Sequence, residues 1–507
     1  MFIRFGMVLC LSVMIAACAT LPKDYLRTDS TAFSNYLATD LGQFFAEAEG
    51  EHPGKSGFAL IRSGKHAFTS RIAMTELAQK SLDLQYYIWE PDATGRILME
   101  RLLRAADRGV RVRILLDDMN QSGRDAGIAA LDAHPGIEIR LFNPFANRNA
   151  RILDFLSDLR RINHRMHNKA IIADNAVAIV GGRNIGNHYF DVDTEANFRD
   201  LDLAAAGPVV RDVSAVFDYF WNANWSMPIT ALVDHTPSPA DLQDVAERLR
   251  RKIADDVYPY PLDQNVARLK SELRAIRERF VWAPGRIVWN NPDEVANGAQ
   301  GGIVRDIAAK FQQAQEEVLI ESAYLVVLDR GVELAQEMIE RGLRIRVLTN
   351  SLASNDVIAA HAGYAKRRVK LLKAGVEIYE LRPDAGEIEQ SLLPGRSKAA
   401  LHTKAMVIDR QALYIGSFNL DPRSLSLNTE AAIYVDSPEL ARQTIAYLDE
   451  GIRPVNSYRV SLDEDGSPVW TTDNDGMPVL YDKEPETTFW QRFTAGFIEM
   501  LPVEEQL

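Results

Sequence analysis

Two stretches of the chain repeat the same order of apolar and polar positions. The first has apolar runs at residues 81–88 and 109–117, separated by a segment with helical periodicity. The second has apolar runs at residues 317–324 and 342–350, again with a helical pattern between them. Short apolar runs that alternate with helical patterns are typical of strands in a sheet covered by helices. The pattern therefore predicts two strand–helix–strand units.

Each unit is followed by a polar motif of the form H-x-K-x-x-x-x-D. Six residues separate each motif aspartate from a Gly-(Gly/Ser)-x-Asn sequence, at residues 181–184 and 416–419. The two motifs lie about 235 residues apart, close to the separation of the two units, which indicates that a whole domain is duplicated. The motif residues are His167, Lys169 and Asp174 in the first copy, and His402, Lys404 and Asp409 in the second.

The duplication predicts an α/β protein with two similar domains, each a sheet covered by helices, related by a pseudo-twofold axis. We expect these domains at residues 56–235 and 296–460, with an N-terminal tether and helix at 19–55 and a C-terminal extension at 461–507. Residues 236–295 are predicted to form a helical insertion or linker, because they are rich in charges at helical spacing. A lid or membrane-facing element, using the basic residues at 248–252, is the alternative.

The spacing of the motif pairs an imidazole with an ammonium group. Residues i and i+2 of a strand face the same side, so His167 lies beside Lys169 and His402 beside Lys404, an arrangement that suits an anionic phosphate. If each motif strand folds back as a hairpin, the glycine-rich sequence returns beside it, where N–H and amide groups can bind phosphoryl oxygens. The predicted phosphate-binding residues are Gly182, Asn184, Ser417 and Asn419.

The motif aspartates are predicted to be structural. A strand of seven residues spans about 23 Å, which places Asp174 and Asp409 far from the histidines of their own motifs and at the hairpin turns. A catalytic histidine still needs a carboxylate to fix its tautomer. The predicted orienting residues are Asp200 and Glu430, with Asp202 as the alternate. Both lie on the strand predicted to follow the hairpin, and each is eight residues before a proline, Pro208 or Pro438.

The N-terminus has the layout of a secretory signal. A cation near the start is followed by an apolar run of about a dozen residues, which is too short to span a bilayer. The sequence Ile15-Ala-Ala-Cys18 is similar to a bacterial lipobox, which implies that Cys18 is lipidated. An aspartate after the lipidated cysteine commonly retains such lipoproteins in the inner membrane. Since residue 19 is alanine, we expect the protein at the periplasmic face of the outer membrane. A simple signal peptide or an uncleaved anchor is the alternative. The domain at 1–18 is then removed, apart from the lipidated cysteine.

Charge and cysteine content narrow the function further. The formal net charge of −13 is the opposite of the cationic footprint that nucleic-acid binding requires, so we expect no nucleic-acid partner. The chain has two cysteines. Cys10 lies in the signal and Cys18 in the lipobox, so the mature protein has no thiol left for a disulfide.

The paired motifs resemble those of the phospholipase D superfamily. Residues 163–169, 198–202 and 416–424 look most like the cardiolipin synthase branch and its C-type members, in a bacterial lipoprotein form. The resemblance implies that one histidine attacks phosphorus to form a phosphohistidine while the other protonates the leaving alcohol, with the lysines neutralising phosphoryl charge and no metal or cofactor required. It also implies His167 as nucleophile and His402 as acid, although the symmetric sequence itself does not decide between them.

The resemblance favours a phosphatidyltransferase that joins two phospholipids into cardiolipin, with phosphatidylglycerol as one substrate and glycerol or ethanolamine as the alcohol released. A phospholipase D that releases phosphatidic acid is the alternative, because water then replaces the acceptor alcohol without any other change in chemistry. A nuclease is disfavoured by the acidic charge, and a noncatalytic envelope-binding protein by the two intact motifs. A small accessory protein, known from C-type members, is neither supported nor excluded.

Overall fold

The computed structural model describes residues 20–256, 258–259, 266–385, 397–474 and 476–499. Cys18, at which the sequence predicts lipidation, and the C-terminal residues 501–507 lie outside these ranges. Among the helices described, none combines the length and apolarity that a crossing of the bilayer needs.

The first repeat is built on a nine-stranded mixed sheet. Its strand order is β10-β1-β8-β6-β5-β2-β3-β4-β9, and β2, β3 and β4 run parallel. The strands numbered in this half of the chain are β1 (Ser56–Ile61), β2 (Ser81–Tyr86), β3 (Arg111–Asp117), β4 (Ile137–Phe142), β5 (Ala170–Ala173), β6 (Val177–Gly181), β7 (Ala196–Arg199), β8 (Asp202–Ala206), β9 (Ser226–Pro228) and β10 (Val281–Ala283).

The second repeat has a ten-stranded sheet of the same design, in the order β11-β18-β17-β16-β12-β13-β14-β19-β20-β21. From β11 to β19 this order matches the first sheet from β1 to β9 strand for strand, which confirms the predicted α/β fold with two repeats. The strands numbered in this half of the chain are β11 (Gly285–Trp289), β12 (Glu317–Ser322), β13 (Arg344–Asn350), β14 (Glu377–Leu381), β15 (Lys398–Leu401), β16 (Lys404–Ile408), β17 (Ala412–Gly416), β18 (Ala431–Asp436), β19 (Ser457–Leu462), β20 (Pro468–Asn474) and β21 (Met477–Tyr481). β7 and β15 pair with each other and belong to neither large sheet.

Helices cover both sheets and connect the parallel strands. Two of them, Pro239–Asp255 and Val266–Glu278, lie in the predicted insertion between the repeats. The α-helices described are Asp40–Glu51, Gly64–Leu77, Ala93–Asp107, Asp125–Asp132, Ile152–Ser157, Leu159–Ile162, Pro208–Asn222, Pro239–Asp255, Val266–Glu278, Pro292–Ala296, Gly302–Gln313, Asp329–Glu340, Ile358–Ala374, Pro422–Ser426, Pro438–Gly451 and Phe489–Glu499.

The two repeats share a buried apolar core. It contains side chains from both sheets, such as Ile172 of β5 and Val407 of β16, and from the equivalent helices Pro208–Asn222 and Pro438–Gly451. Each of these helices begins with proline at its first position, where the missing N–H costs no hydrogen bond. Because the core is common to both repeats, the two motif strands are held at one junction.

The predicted motif hairpins form in both repeats. β5 pairs with β6 and β16 with β17, and in each hairpin three residues lie between the last paired residues, 174–176 and 409–411. The first two residues of each turn have positive φ, at 53° and 54° for Asp174 and Asn175, and 51° and 56° for Asp409 and Arg410. Aspartate and asparagine tolerate this backbone well, because their short polar side chains form local hydrogen bonds.

Candidate active site

Each motif histidine enters the junction on a segment that pairs with the other repeat. β15, which leads to His402, runs parallel to β7, and the His402 N–H donates to Arg199 O at 2.8 Å. Likewise the His167 N–H donates to Thr429 O at 2.9 Å. Both segments therefore cross from one repeat to the other, and both histidines reach the same place.

The carboxylates that contact the two imidazoles are exchanged between the repeats. His167 Nδ1 lies 3.0 Å from Glu430 Oε2, and His402 Nδ1 lies 2.7 Å from Asp200 Oδ2. Both carboxylates are fully buried. Since a carboxylate only accepts, each Nδ1 carries a proton and the lone pair is left on Nε2. The structure thus brings together both motif histidines and both predicted orienting residues. Each histidine contacts the carboxylate that belongs to the other repeat.

Ser417, predicted from the sequence to bind phosphate, lies beside His167 and Glu430 in the structure. Its hydroxyl donates to Glu430 Oε2, and its carbonyl oxygen lies 3.1 Å from His167 Nδ1. A hydroxyl has one proton to give, so this proton serves the carboxylate that faces His167. Ser424 Oγ donates to the other oxygen of Glu430 at 2.9 Å. The two serines therefore hold the Glu430 carboxylate in place.

Gly182, which was also predicted to bind phosphate, lies beside the carboxylate of Asp200 in the structure. A Cβ at this position would lie 2.3 Å from Asp200 Oδ1, so only glycine leaves room for the carboxylate that contacts His402. Asp202, the alternate orienting residue, lies instead 2.9 Å from the Arg71 guanidinium and is fully buried with it. Asp200 is therefore the carboxylate available to His402.

The two motif lysines are buried at the same junction. Lys169 Nζ donates to His167 O and Lys404 Nζ to His402 O. Burial lowers the pKa of Lys404 to about 8, while the nearby Asp200 and Glu430 oppose this shift. Burial also lowers the pKa of Lys169, and the charge of Lys404 lowers it further. The two ammonium groups repel each other across the junction, which a bound anion would relieve.

Both imidazoles are neutral near pH 7 in the free site. Burial lowers the pKa of His167 to about 4, and the charges of Lys169 and Lys404 act in the same direction against the opposing effect of Glu430. The pKa of His402 is also lowered, by burial and then by the same two lysines. Each histidine therefore experiences the lysine of the other repeat as well as its own.

The two motif asparagines differ in their contacts. Asn184 Oδ1 accepts from the Ile88 N–H at 3.1 Å, and its Nδ2 donates to the Tyr189 hydroxyl at 2.9 Å. Asn419 is buried, and its Oδ1 has no hydrogen-bond partner. The amide of Asn184 thus braces its own loop, whereas Asn419 is the one with unused hydrogen-bonding capacity.

Aromatic rings flank both histidines. The Tyr87 ring lies 5.0 Å from that of His167, and the Tyr189 and Phe198 rings each lie 5.1 Å from that of His402. These rings restrict rotation of the imidazoles and exclude water from their faces. Tyr324, at the end of β12, donates its hydroxyl to Asp356 at 3.0 Å.

Asp117 and Asn350 position the motif segments, and the sequence analysis did not assign them a role. Asp117 accepts from the Met166 N–H at 2.8 Å, and Asn350 accepts from the Leu401 N–H at 2.7 Å. Each is the last residue of the second strand of its unit, and each contacts the residue that directly precedes a motif histidine in sequence. The signal in the sequence was a polar residue that ends an apolar run at the same place in both repeats.

The motif aspartates lie at the far end of their strands from the histidines. Asp174 accepts three backbone N–H groups, from Gln79, Lys80 and Ser81, at 2.7 to 2.9 Å. Asp409 accepts the equivalent three from residues 315–317. Each carboxylate therefore ties the motif hairpin to the start of β2 or β12, the first strand of its strand–helix–strand unit.

Replacing Asp174 by alanine is expected to destabilise the protein without changing its chemistry. The change leaves three backbone N–H groups without their acceptor, so the free energy of unfolding should fall by about 3–5 kcal/mol. Urea denaturation measures this loss, with Asp107→Ala, an exposed aspartate, as the control. A catalytic role for Asp174 would instead appear as a large loss of kcat in protein of unchanged stability.

The described residues contain no group of three or more His, Cys, Asp or Glu side chains arranged to hold a metal ion. Besides the two lysines and the two carboxylates described above, Arg183, Asp356 and Asp421 are charged groups near the junction, because they act on the pKa of Asp200 or Lys404.

Comparison with known proteins decides the family. A family model described as cardiolipin synthase, PLD-like domain matches residues 72–221 and 307–451, which together cover more than half of the chain and contain both motifs. The chain belongs to this cardiolipin synthase family. Its two matched segments correspond to the two repeats, so the internal duplication is a duplication of the family's domain.

Individual members of the family are similar over almost the whole chain. Cardiolipin synthase C of Escherichia coli K12 is 37% identical over 90% of this chain and 97% of its own length. A protein of Helicobacter pylori 26695, named only as uncharacterised, is 30% identical over 92% of this chain and 93% of its own length. Among solved structures, phosphatidylserine synthase of Haemophilus influenzae has a TM-score of 0.54 at 15% identity, covering 80% of this chain and 90% of its own, which supports the fold.

Proposed function

We propose that this protein is a phosphatidyltransferase that joins two phospholipids into cardiolipin through a phosphohistidine intermediate, with phosphatidylglycerol as one substrate. The observation that carries the proposal is the pair of buried imidazoles at one junction, each held by the carboxylate of the other repeat. Similarity to a cardiolipin synthase over nine tenths of the chain indicates the substrate class. The comparisons give no support to the hydrolytic alternative.

In the proposed first step, His167 is the nucleophile. Its Nδ1 proton is held by Glu430, so the Nε2 lone pair is free, and its lowered pKa keeps it neutral. When the phosphate anion binds, His402 takes up a proton from solvent at Nε2. The Nε2 of His167 then attacks phosphorus, the bond from phosphorus to the departing alcohol oxygen breaks, and that oxygen takes the proton from His402 Nε2. The products are a phosphatidyl-histidine and a free alcohol.

The second step reverses the first with a new alcohol. The hydroxyl of a second phospholipid gives its proton to His402 and attacks the phosphorus, and the bond to His167 breaks. In the free site the nearby lysines lower the pKa of His402. A bound phosphate anion offsets the charges of these lysines, so it raises the pKa of the ring that must act as an acid.

The lysines and Asn419 are proposed to bind the nonbridging phosphoryl oxygens. Lys169 and Lys404 supply two positive charges in a buried site, where charge stabilisation is strongest. The Asn419 Nδ2 is proposed to donate a further hydrogen bond to one of these oxygens, whereas its buried Oδ1 is an acceptor and does not bind them. Asn184 and Gly182 act indirectly in this proposal, through the loop and through Asp200.

We propose that the enzyme works in the bacterial envelope, anchored through lipid on Cys18, at the periplasmic face of the outer membrane. The proposal rests on the lipobox-like sequence before Cys18. Several acyl chains on one cysteine would hold the enzyme at the surface of its substrate, because each buried methylene contributes about 0.8 kcal/mol. A small accessory protein is left open.

Incubation of the purified protein with vesicles of labelled phosphatidylglycerol tests the proposed reaction. We expect labelled cardiolipin together with released glycerol, and little phosphatidic acid, because the buried site favours a lipid alcohol over water as the acceptor. The His167→Ala variant should give neither product. Phosphatidic acid without cardiolipin would show that the enzyme is a hydrolase.

A further inference from the structure

A segment at residues 146–162, here called the rim segment, lies at the same edge of the first sheet as the two histidines. It follows the end of β4, and the parallel strands β2 and β3 end at that edge too. It leads into the segment that carries His167. Just beyond it, Asn163 and His164 contact the second repeat, through Arg423 at 3.0 Å and Leu427 O at 3.0 Å. The rim segment therefore borders the catalytic junction.

Arg148, Arg151 and Asp154 of the rim segment point into the protein, whereas Asp158 and Arg160 are exposed. The fully buried carboxylate of Asp118 accepts from Arg151 at 3.0 Å and also binds Arg148. The buried Asp154 accepts from the Asn147 N–H at 3.2 Å. These buried ion pairs and hydrogen bonds fix the conformation of the segment, because breaking any one of them would leave a buried charge without a partner.

The apolar side chains of the same segment point outward. Ile152 is 66% exposed, Leu156 77% and Leu159 51%. The spacing of four residues places Ile152 and Leu156 on one face of the helix Ile152–Ser157. Leu159 begins the next short helix, Leu159–Ile162, after a break at Asp158. Exposed aliphatic side chains on these helices are the reverse of the usual polarity of a surface helix, in which the aliphatic face is turned inward. Neighbouring exposed aliphatic side chains of this kind indicate a binding surface.

We propose that the rim segment inserts Ile152, Leu156 and Leu159 into a phospholipid bilayer at the boundary between headgroups and acyl chains. The inference rests on the proposed function, since a phosphatidyltransferase must receive a phosphate that lies at this boundary. Apolar insertion beside the junction brings the site to the phosphate while the acyl chains stay in the membrane. The net charge of −13 gives no general attraction to anionic lipids, so insertion at this place depends on apolar side chains.

An environment-sensitive label tests insertion independently of catalysis. The full chain with Cys10→Ser and Cys18→Ser has no native cysteine, so Leu156→Cys provides the one labelling site for a nitrobenzoxadiazole dye. Vesicles contain phosphatidylglycerol and phosphatidylcholine. We expect the emission to shift to shorter wavelength on vesicles and to be quenched by lipids spin-labelled on the acyl chain. An emission that stays at its value in water would overturn the proposal and favour a protein as the occupant of this face.

Leu37→Cys is the matched control for the label. Leu37 is 50% exposed, and the neighbouring Asp40 N–H donates to Gln79 at 2.8 Å, at the start of β2 and therefore at the opposite edge of the sheet. A label at Leu37 should remain in water on the same vesicles. Equal shifts at Leu156 and Leu37 would mean that the chain adsorbs without a defined orientation, which also overturns the proposal.

Turnover separates this inference from the proposed function. The Leu156→Glu variant should lose about tenfold in turnover of vesicle phosphatidylglycerol, because a charge cannot enter the apolar zone, and should keep its turnover of a dispersed short-chain phosphatidylglycerol. Leu37→Glu should change neither. If Leu156→Glu lowers both rates equally, the insertion is wrong and the reaction stands. If the wild-type protein turns over neither substrate, the proposed function fails, while the label still reports insertion.

Discussion

Alanine at either His167 or His402 is expected to lower kcat for cardiolipin formation by about 10⁴- to 10⁶-fold, and the double variant should be no slower than the slower single variant. The reason is that the two imidazoles work on one phosphate, so removing one leaves the other without a reaction to catalyse. Two independent sites, one in each repeat, would instead leave about half of the rate in each single variant.

Steady-state formation of cardiolipin from phosphatidylglycerol vesicles measures this effect. His235→Ala is the control, because His235 is exposed and belongs to neither motif. Circular dichroism and urea denaturation of each variant separate loss of chemistry from loss of fold. The shared site is contradicted if either single variant keeps a substantial fraction of the wild-type rate, or if the losses in the double variant multiply.

The exchange of carboxylates predicts the second large effect. Glu430→Gln should lower kcat by about 10²- to 10⁴-fold with little change in KM, because an amide that donates to Nδ1 stabilises the wrong tautomer of His167. Asp200→Asn should act in the same way on His402. Glu439→Gln, an exposed glutamate in the second repeat, is the control and should leave the rate unchanged.

A substrate with an acidic leaving group distinguishes the two carboxylates. A phosphatidyl ester of p-nitrophenol releases p-nitrophenolate, which departs without protonation. This substrate should therefore restore much of the first-step rate to Asp200→Asn and none to Glu430→Gln. The reverse result would exchange the roles of His167 and His402 and keep the crossed pairing. Full activity of both variants on both substrates would contradict any orienting role for these residues.

The sequence predicted those features that depend on order along the chain. The duplicated apolar runs gave the parallel strands β2, β3, β12 and β13, because a buried strand needs an apolar run whatever its partners are. The equal distance of eight residues back from Pro208 and from Pro438 indicated Asp200 and Glu430. Both of these signals are local, and both repeats carry them.

The crossed pairing could not be predicted, because it depends on how the two repeats pack. Spacing within a repeat shows that Glu430 follows the motif of His402, but only the assembled junction shows that Glu430 faces His167. Strand pairing within each repeat, of β17 with β18 and of β6 with β8, brings the Ser417 hydroxyl to Glu430 and fills the space beside Gly182 with Asp200, where the sequence predicted phosphate. Residues that hold other side chains carry no distinct motif of their own.

The covalent intermediate tests the shared site most directly. The protein is mixed with phosphatidylglycerol, quenched during the first turnover at alkaline pH, at which phosphohistidine survives, and examined intact and after proteolysis by mass spectrometry. We predict at most one phosphatidyl group per chain, on the peptide that contains His167. Two phosphatidyl groups on one chain, one on each motif histidine, would contradict the account, because one phosphorus atom cannot serve both.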